Sequence, residues 1–438
     1  MKDFAISDDP AVQRQLDRLA DLPLPQGGLG LEKIQAILEA LGNPHEALPP
    51  VFHVAGTNGK GSTCAFLRAI LEADGKRVHV TTSPHLVRFN ERIRIAGELI
   101  SDAELASTLE EVLDAAEHLV PSFFEVTIAA AFLAFSRTPA DACVIEVGLG
   151  GRLDATNVIA NPAATGIAAL GLDHAEFLLQ PEEGAPEDVD ERLSFEKSGI
   201  RRTGVPLVAL SNAPRANRFL EEIAREEDIP LWLQGKAWNA HADRKTVHYR
   251  DPRGSLTLPL PSLPGEHQAA NAGLAIAMLR AQDRIDVSDK ALSEGLRSAN
   301  WPARLQKLSP GPLQDLLPGV PIWLDGGHNR SAGEAIAAFV EAQDLAPHCV
   351  IGMLIRKDPA SLMDPLHGLV ESVTIVPVPG QDTHETAAFK QWPVDVHEAP
   401  DVVAALRQIA ADKSEAVLIT GSLYLAGEVL KLNREWPE

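Results

Sequence analysis

The stretch Val51-Phe52-His53-Val54-Ala55-Gly56-Thr57-Asn58-Gly59-Lys60-Gly61-Ser62-Thr63 restricts the possible folds more than any other part of the chain. A mostly apolar run predicts a buried strand, a loop of glycines, hydroxyls and one lysine follows at once, and helical spacing runs from Cys64 to Ala73. Strand, glycine loop and helix together make a phosphate cradle. Glycines let backbone N–H groups close on an anion, the helix N-terminus adds a favourable dipole, and the lysine brings a point charge to the β- and γ-phosphates. The loop Gly56, Thr57, Asn58, Gly59, Lys60, Gly61 and Ser62 is therefore expected to bind a nucleotide. It departs from the pattern G-x-x-x-x-G-K-[ST], since Val54 stands where the first glycine belongs and Gly61 where a hydroxyl belongs. A bare glycine turn is the competing reading; the lysine and hydroxyls favour the cradle.

At 438 residues the chain exceeds one ordinary core and predicts two or three domains, with two as the base expectation. The formal net charge of −22 argues against general affinity for nucleic acid or an anionic membrane surface, although an acidic surface can hold a basic pocket. Cys64, Cys143 and Cys349 lie far apart in apolar contexts and predict buried free thiols rather than disulfides or a metal cluster. The N-terminus lacks an apolar signal region and no stretch approaches the roughly 18 apolar residues of a membrane span, so the expected compartment is the cytoplasm.

Strand and helix patterns alternate along the chain. Residues 10 to 20 and 31 to 41 read as helices around a Pro/Gly break at 22 to 28; 77 to 81 reads as a strand, and Ser101 opens a capping box for a helix to about 118. Residues 123 to 135 predict a buried helix and 141 to 147 a strand carrying one carboxylate. Further strands at 163 to 170, 205 to 210 and 231 to 233, with a helix at 216 to 227, predict a doubly wound sheet of parallel strands. The acidic run between 177 and 192 reads as a mobile insertion, and 246 to 258 as a hairpin. After helices at 268 to 281 and 288 to 299, a new α/β series begins near Trp301-Pro302. The expected organisation is a nucleotide-binding, P-loop-type domain over 1 to 299 and a smaller Rossmann-like α/β domain over 300 to 438.

Ligands of open α/β sheets sit beyond the carboxyl ends of the strands, where several polar residues fall. Glu146 closes an apolar strand and is placed to hold the magnesium that accompanies a nucleotide triphosphate; a neighbouring lysine or backbone partner is the alternative. Arg152, Asp154 and Asn157 follow in a polar loop with roles that spacing does not separate, and His174 ends a further strand-like run. Lys197 reads, on composition, as an ordinary exposed helix lysine. Asp325 either caps the helix after it or faces a cleft between the domains, and Lys357-Asp358 and Thr420-Gly421-Ser422 occupy similar strand ends.

Nine segments together resemble the folylpolyglutamate synthase and dihydrofolate synthase family of the Mur ligase superfamily. They are Gly56 to Ser62, Thr82-Ser83-Pro84-His85-Leu86 with Glu91-Arg92-Ile93, Glu146 to Asn157, Leu172-Asp173-His174, Glu196-Lys197-Ser198-Gly199-Ile200, His267-Gln268 with Asn271-Ala272, Asp325-Gly326-Gly327-His328-Asn329, Lys357-Asp358 and Gly421-Ser422-Leu423-Tyr424. They occur in the family's order over almost the whole chain. The resemblance implies an ATP-dependent ligase that phosphorylates a pterin-linked carboxylate of dihydropteroate or a reduced folate and joins it to L-glutamate, with no nucleic acid or membrane partner and a monomer as the family precedent. It implies that Lys60 and the loop hold the phosphates, that Ser83 and Glu146 hold one Mg2+ and His174 a second, and that Lys197 is carbamylated into a further metal ligand. Asn271 would contact adenine, and Arg304, Asp325 and His328 would reach the nucleotide from the second domain. A monovalent cation stays open.

The chain departs from the family in three places. Residues 178 to 192 lengthen a segment that the family keeps compact, Ala303 replaces the glycine usual before Arg304, and Gly327 replaces a common alanine. Gly30-Leu31-Glu32-Lys33-Ile34 resembles the segment near the folate site, which makes the Pro/Gly break before it part of a substrate loop. A synthase that only extends the glutamyl tail, a superfamily ligase acting on a peptidoglycan precursor, and a nucleotide switch without ligase chemistry are the alternatives weighed.

Overall fold

Every residue of β1 (Val51–Ala55) is buried, as expected of a central parallel strand covered on both faces. The computed structural model describes residues 6–22, 30–412 and 414–437. The Pro/Gly break read as a substrate loop therefore falls largely outside the described residues. The chain divides into two compact units, Met1–Ser262 with Gln268–Asn300, and Leu263–His267 with Trp301–Glu438.

The first unit is built on β1, β2 (Val78–Thr81), β3 (Ile93–Ile95), β4 (Glu98–Leu99), β5 (Ala142–Glu146), β6 (Ala164–Ile167), β7 (Leu207–Ala209) and β8 (Leu231–Leu233). Their order is β4-β3-β2-β5-β1-β6-β7-β8. The six strands from β2 to β8 in that order are parallel, and the β3–β4 edge is antiparallel, which the sequence reading had not separated from the rest. One face packs its odd-numbered side chains, such as Cys143 and Ile145, against helices Pro10–Asp21, Glu32–Ala40, Asp102–Ala116 and Phe123–Arg137, and Ala55 and Ile167 against Pro214–Glu226. On the opposite face Gly166 lies against Met278 of the helix His267–Ala281, too close for a side chain. A small antiparallel sheet of β9 (Asn239–Ala242), β10 (Thr246–Asp251) and β11 (Gly254–Pro259) adds a third strand to the expected hairpin.

The second unit holds β12 (Gln306–Lys307), β13 (Ile322–Leu324), β14 (His348–Ile351), β15 (Ser372–Ile375), β16 (Asp395–Glu398) and β17 (Val417–Thr420) in the order β12-β13-β17-β14-β15-β16. All neighbours except β12–β13 are parallel, giving the Rossmann-like α/β form. The sequence reading missed β12, β16 and the helix Ala360–Leu366. Their shortness, the exposed alternation of β16, and Pro365 inside the helix weaken each periodic signal.

Two local expectations change. Ser101 accepts from the Glu104 N–H as a simple cap, while both halves of a capping box form at Ser122 and Glu125, ahead of the buried helix. The acidic run is not a free loop: the short helix Ala175–Leu178 enters it, and from Val189 it forms the first turn of the helix Val189–Ser198. Asp188 caps that helix through the N–H groups of Asp190 and Glu191.

Candidate active site

The order β5-β1-β6 puts three strand ends side by side at the switch in winding direction, where an open α/β sheet leaves a crevice. After β1 the loop continues to pair with the segment after β6. Thr57 N–H donates to the Ala169 carbonyl at 2.8 Å, Asn58 N–H to the same oxygen at 3.2 Å, and the Thr57 hydroxyl donates to the Gly171 carbonyl at 2.7 Å. Gly59 ends the loop at φ +83, and the helix Lys60–Ala73 starts immediately, with no side-chain cap among the described residues. Its first N–H groups thus remain available to an anion. A Cβ on Gly59 would stand 2.4 Å from Asn271 Oδ1, so only glycine fits both the angle and the space. Asn271 is buried, donates to Gln268 Oε1 at 3.0 Å, and Gln268 reaches the Ser62 hydroxyl at 3.4 Å.

On one side of the cradle, Glu146 ends β5 buried, with Oε2 accepting from the Ser83 backbone N–H at 3.1 Å. The Ser83 segment is itself held by Glu91, whose carboxylate accepts from the N–H groups of Leu86, Val87 and Arg88. Arg92 is buried between Phe89 and Phe123, 5.5 and 5.4 Å from the ring centroids, and donates Nε to His85 Nδ1. Behind Glu146, the buried Asp154 carboxylate accepts from Leu149 N–H, Thr156 N–H and the Thr156 hydroxyl, and burial raises its pKa. Asn157 ties Arg152 O to Gly199 O. Asp154 and Asn157 therefore shape the loop.

On the other side, His174 follows Gly171 and begins a short helix in the left-handed region, φ 53 and ψ 38, a conformation that a non-glycine residue holds only against a cost. Its Nε2 lies 4.0 Å from Asp173 Oδ2. Lys197 is not the exposed lysine its local sequence implies. It is 4% exposed, and its Nζ donates to the Gly56 carbonyl at 3.3 Å. Lys60 Nζ donates to that same carbonyl at 3.0 Å and to Thr57 O at 3.3 Å. Burial first, and then the Lys60 charge, lower the Lys197 pKa to about 7, against the opposing pull of Asp173, Asp154 and Glu196. A neutral amine is thereby available near neutral pH.

The second unit gathers its own group. Asp325, buried at the end of β13, accepts from Leu305 N–H at 2.9 Å and Gly327 N–H at 2.7 Å, and burial raises its pKa against the pull of Arg304 and His328. It does not cap the following helix; Asn329 does, accepting from Ala332 N–H. Ala303 and Leu305 flank Arg304 at φ 56 and φ 47, so Arg304 stands at the apex of a doubly left-handed turn. His328 Nδ1 pairs with the Gly326 carbonyl, and His267 has its pKa lowered to about 4 by burial and by Arg304.

Of the residues expected at a site, Lys60, Lys197, Asn271 and the loop are brought into contact, Glu146 meets the Ser83 segment, and Arg304, Asp325 and His328 cluster in the second unit. Among the described residues no group of three or more His, Cys, Asp or Glu side chains is gathered as a metal cage. The burial of Arg192 was not legible: it reads as one of several charges in an acidic stretch.

Three comparisons extend this geometry. A family model described as "Dihydrofolate synthetase, C-terminal domain" matches residues 317–432. The chain is 32% identical to the dihydrofolate synthase/folylpolyglutamate synthase of Escherichia coli K12, over 92% of this chain and 91% of the relative, and 31% identical to that of Bacillus subtilis 168, over 92% and 94%. Among solved structures it is similar to Escherichia coli FolC in complex with DHPP and ADP, with a TM-score of 0.84 and 30% identity over 97% of each chain. It is also similar to a bifunctional folylpolyglutamate synthase/dihydrofolate synthase with Mn, AMPPNP and L-glutamate bound, with a TM-score of 0.81 and 30% identity over 96% of this chain and 97% of the other.

Proposed function

The chain belongs to the dihydrofolate synthase/folylpolyglutamate synthase family, and from that premise we propose that it joins L-glutamate first to dihydropteroate and then to the γ-carboxylate of reduced folates, driven by ATP. The observation that carries the reading is the meeting of the Lys60 ammonium group and the Lys197 amine on the Gly56 carbonyl beside a strand end bearing a buried carboxylate. Such a constellation suits a triphosphate and its cation, and a bare glycine turn would not need it.

The residues fit the groups they would receive. Uncapped N–H groups, a left-handed Gly59 and Lys60 match phosphate oxygens. Glu146 and Ser83 on one side offer the hard oxygen donors that magnesium takes alongside phosphate and water, and His174 on the other adds an imidazole nitrogen, a borderline donor. A lysine amine is a poor ligand for such an ion, but the neutral Lys197 amine can add CO2 to become a carbamate, a carboxylate-like donor. We therefore assign Ser83 and Glu146 to one cation, and His174 and carbamylated Lys197 to a second; Asn271 is assigned to the adenine, and Arg304, Asp325 and His328 to the nucleotide.

In the reaction a carboxylate oxygen of the pterin substrate attacks the γ-phosphorus of ATP, and the bond to the bridging oxygen breaks to release ADP. The neutral amino group of glutamate then attacks the acyl carbon, the bond from that carbon to the phosphate oxygen breaks, and phosphate leaves with the proton that the nitrogen gives up as the amide forms. Lys60 and the loop N–H groups hold the transferring phosphoryl group in place and offset its charge. Divalent cations, when bound, supply the remaining charge neutralisation at the phosphates. The buried loop behind Glu146, braced by Asp154, keeps that carboxylate aimed at the crevice. We also place the protein in the cytoplasm, in keeping with three buried free thiols.

Phosphate release measured side by side with dihydropteroate and with tetrahydrofolate, each with ATP and glutamate, tests the reading. Stimulation by both is expected. Stimulation by tetrahydrofolate alone would restrict the enzyme to tail extension, and stimulation by neither would remove the ligase assignment.

A further inference from the structure

Three of the groups assigned to the cations, Glu146, His174 and Lys197, stand on or beside segments that are separate in sequence: the end of β5 with the glycine turn after it, the short helix begun by His174, and the helix Val189–Ser198. Four charged side chains join them. Arg192, buried, donates Nε to the Leu178 carbonyl at 3.0 Å and Nη2 to the Gln180 carbonyl at 3.1 Å, where the helix begun by His174 ends. One turn further along its own helix, Glu196 lies 3.3 Å from Arg192 and accepts from Arg152 Nη2 at 3.0 Å. Arg152 lies in the glycine turn, its backbone N–H donates to the Glu196 carbonyl at 2.7 Å, and its guanidinium sits 4.7 Å from the Phe195 ring centroid. Gly151 packs so closely here that a Cβ would stand 2.7 Å from the Lys197 carbonyl.

Two guanidiniums on one buried carboxylate leave an uncompensated positive charge, which a poorly solvated site tolerates badly. The second carboxylate comes from the acidic insertion: Glu182 Oε2 accepts from Arg152 at 2.5 Å and from Arg192 at 3.2 Å. As an isolated partly exposed ion pair Glu182 would matter little. Here it balances two cations that each hold a different segment.

We propose that the acidic insertion is a positioning device, in which Glu182 closes a clamp with Arg152, Arg192 and Glu196 that fixes the His174 and Lys197 segments against the turn following Glu146. None of the four touches substrate; they set the spacing of the cation-holding groups, as outer partners of metal ligands commonly do. The inference rests on the cation assignments made above.

The test is Mn2+ binding to the full chain with AMPPNP present, followed by the electron paramagnetic resonance of the free ion. Glu182→Gln keeps the shape and removes the charge, so the Mn2+ dissociation constant should rise about tenfold. Amide hydrogen exchange over 174 to 180 should quicken, Glu182→Asp should restore part of the affinity, and Glu183→Gln on the exposed side of the same insertion should behave as the wild type. Wild-type Mn2+ affinity in Glu182→Gln would overturn the clamp. Glu146→Gln in the same titration separates the two layers: weakened binding there with none in Glu182→Gln removes the clamp alone. Weakened binding in Glu182→Gln with none in Glu146→Gln removes the cation assignment and the proposal with it.

Discussion

Replacing Lys197 by methionine should make the ligand-free protein more stable while abolishing turnover. The amine is 4% exposed and shares the Gly56 carbonyl with Lys60, and these surroundings lower its pKa from an ordinary 10.5 to about 7. Each decade of displaced protonation is worth about 1.4 kcal/mol, so the full displacement sets an upper limit of about 5 kcal/mol on the cost of keeping this lysine. The sign follows from the two pKa values. Between them the unfolded chain binds the proton that the folded chain has released, so the wild type gains stability as pH rises above about 7. Below 7 both states are protonated and the penalty is complete. Methionine has a similar length and no charge, so the variant should exceed the wild type by several kcal/mol at pH 6, and the gap should narrow by roughly 2–3 kcal/mol by pH 9. Urea denaturation of both proteins in CO2-free buffer without divalent ions measures the gap, fitted as separate transitions where the two units unfold apart. Parallel stability profiles across pH, or a variant less stable at pH 6, would refute the reasoning.

Four further substitutions probe the rest of the site. Gly59→Ala forces a Cβ to within 2.4 Å of Asn271 Oδ1 at φ +83, and should cost about 1–2 kcal/mol of stability from backbone strain alone while weakening ATP binding measured by calorimetry. Glu146→Gln and His174→Ala should each leave the circular dichroism spectrum unchanged and reduce turnover at least a hundredfold; near-normal rates in either would remove its assignment to a cation. Asp325→Asn replaces an acceptor of two N–H groups by a side chain that must turn its own NH2 towards one of them, leaving one buried donor unpaired. A loss of about 1–3 kcal/mol is expected, with a raised KM for ATP because the Leu305 end of the Arg304 turn is released.

What the sequence revealed and what it hid divide along a physical line. The cradle was legible because every requirement of a strand, a glycine turn and a helix start is local, and so were the strand ends at Glu146 and Asp325; His174, read as closing a strand-like run, instead opens a short helix well beyond the end of β6 at Ile167. Lys197 was misread from local spacing, since neighbours within its own helix say nothing about Gly56, which lies far off in sequence and 3.3 Å away in space. The same limit hid the capping of Asn329: with Asp325 and Asn329 both near a helix start, only the fold shows that Asp325 turns back to Leu305. Ala303 shows a departure whose reason became visible only in three dimensions. Its φ of 56 explains a preference for glycine there, and the alanine holds the angle with its N–H donated to Gln306 Oε1 and its carbonyl accepting from Gly326 N–H.

The charge distribution bears on how such a site fills. ATP, dihydropteroate and glutamate all carry negative charge, and the chain carries a formal −22, so the long-range field opposes every encounter. Attraction has to reside within a few ångströms, where uncapped N–H groups and Lys60 act. A second full charge on the Gly56 carbonyl would repel Lys60, and burial of the Lys197 amine relieves that conflict by lowering its pKa to about 7. Acidic residues behind the site serve it through bonded partners: Glu182 and Glu196 are tied to Arg152 and Arg192, and Glu91 and Asp154 to backbone N–H groups. An acidic surface and a cationic crevice are thus compatible because the two act over different distances.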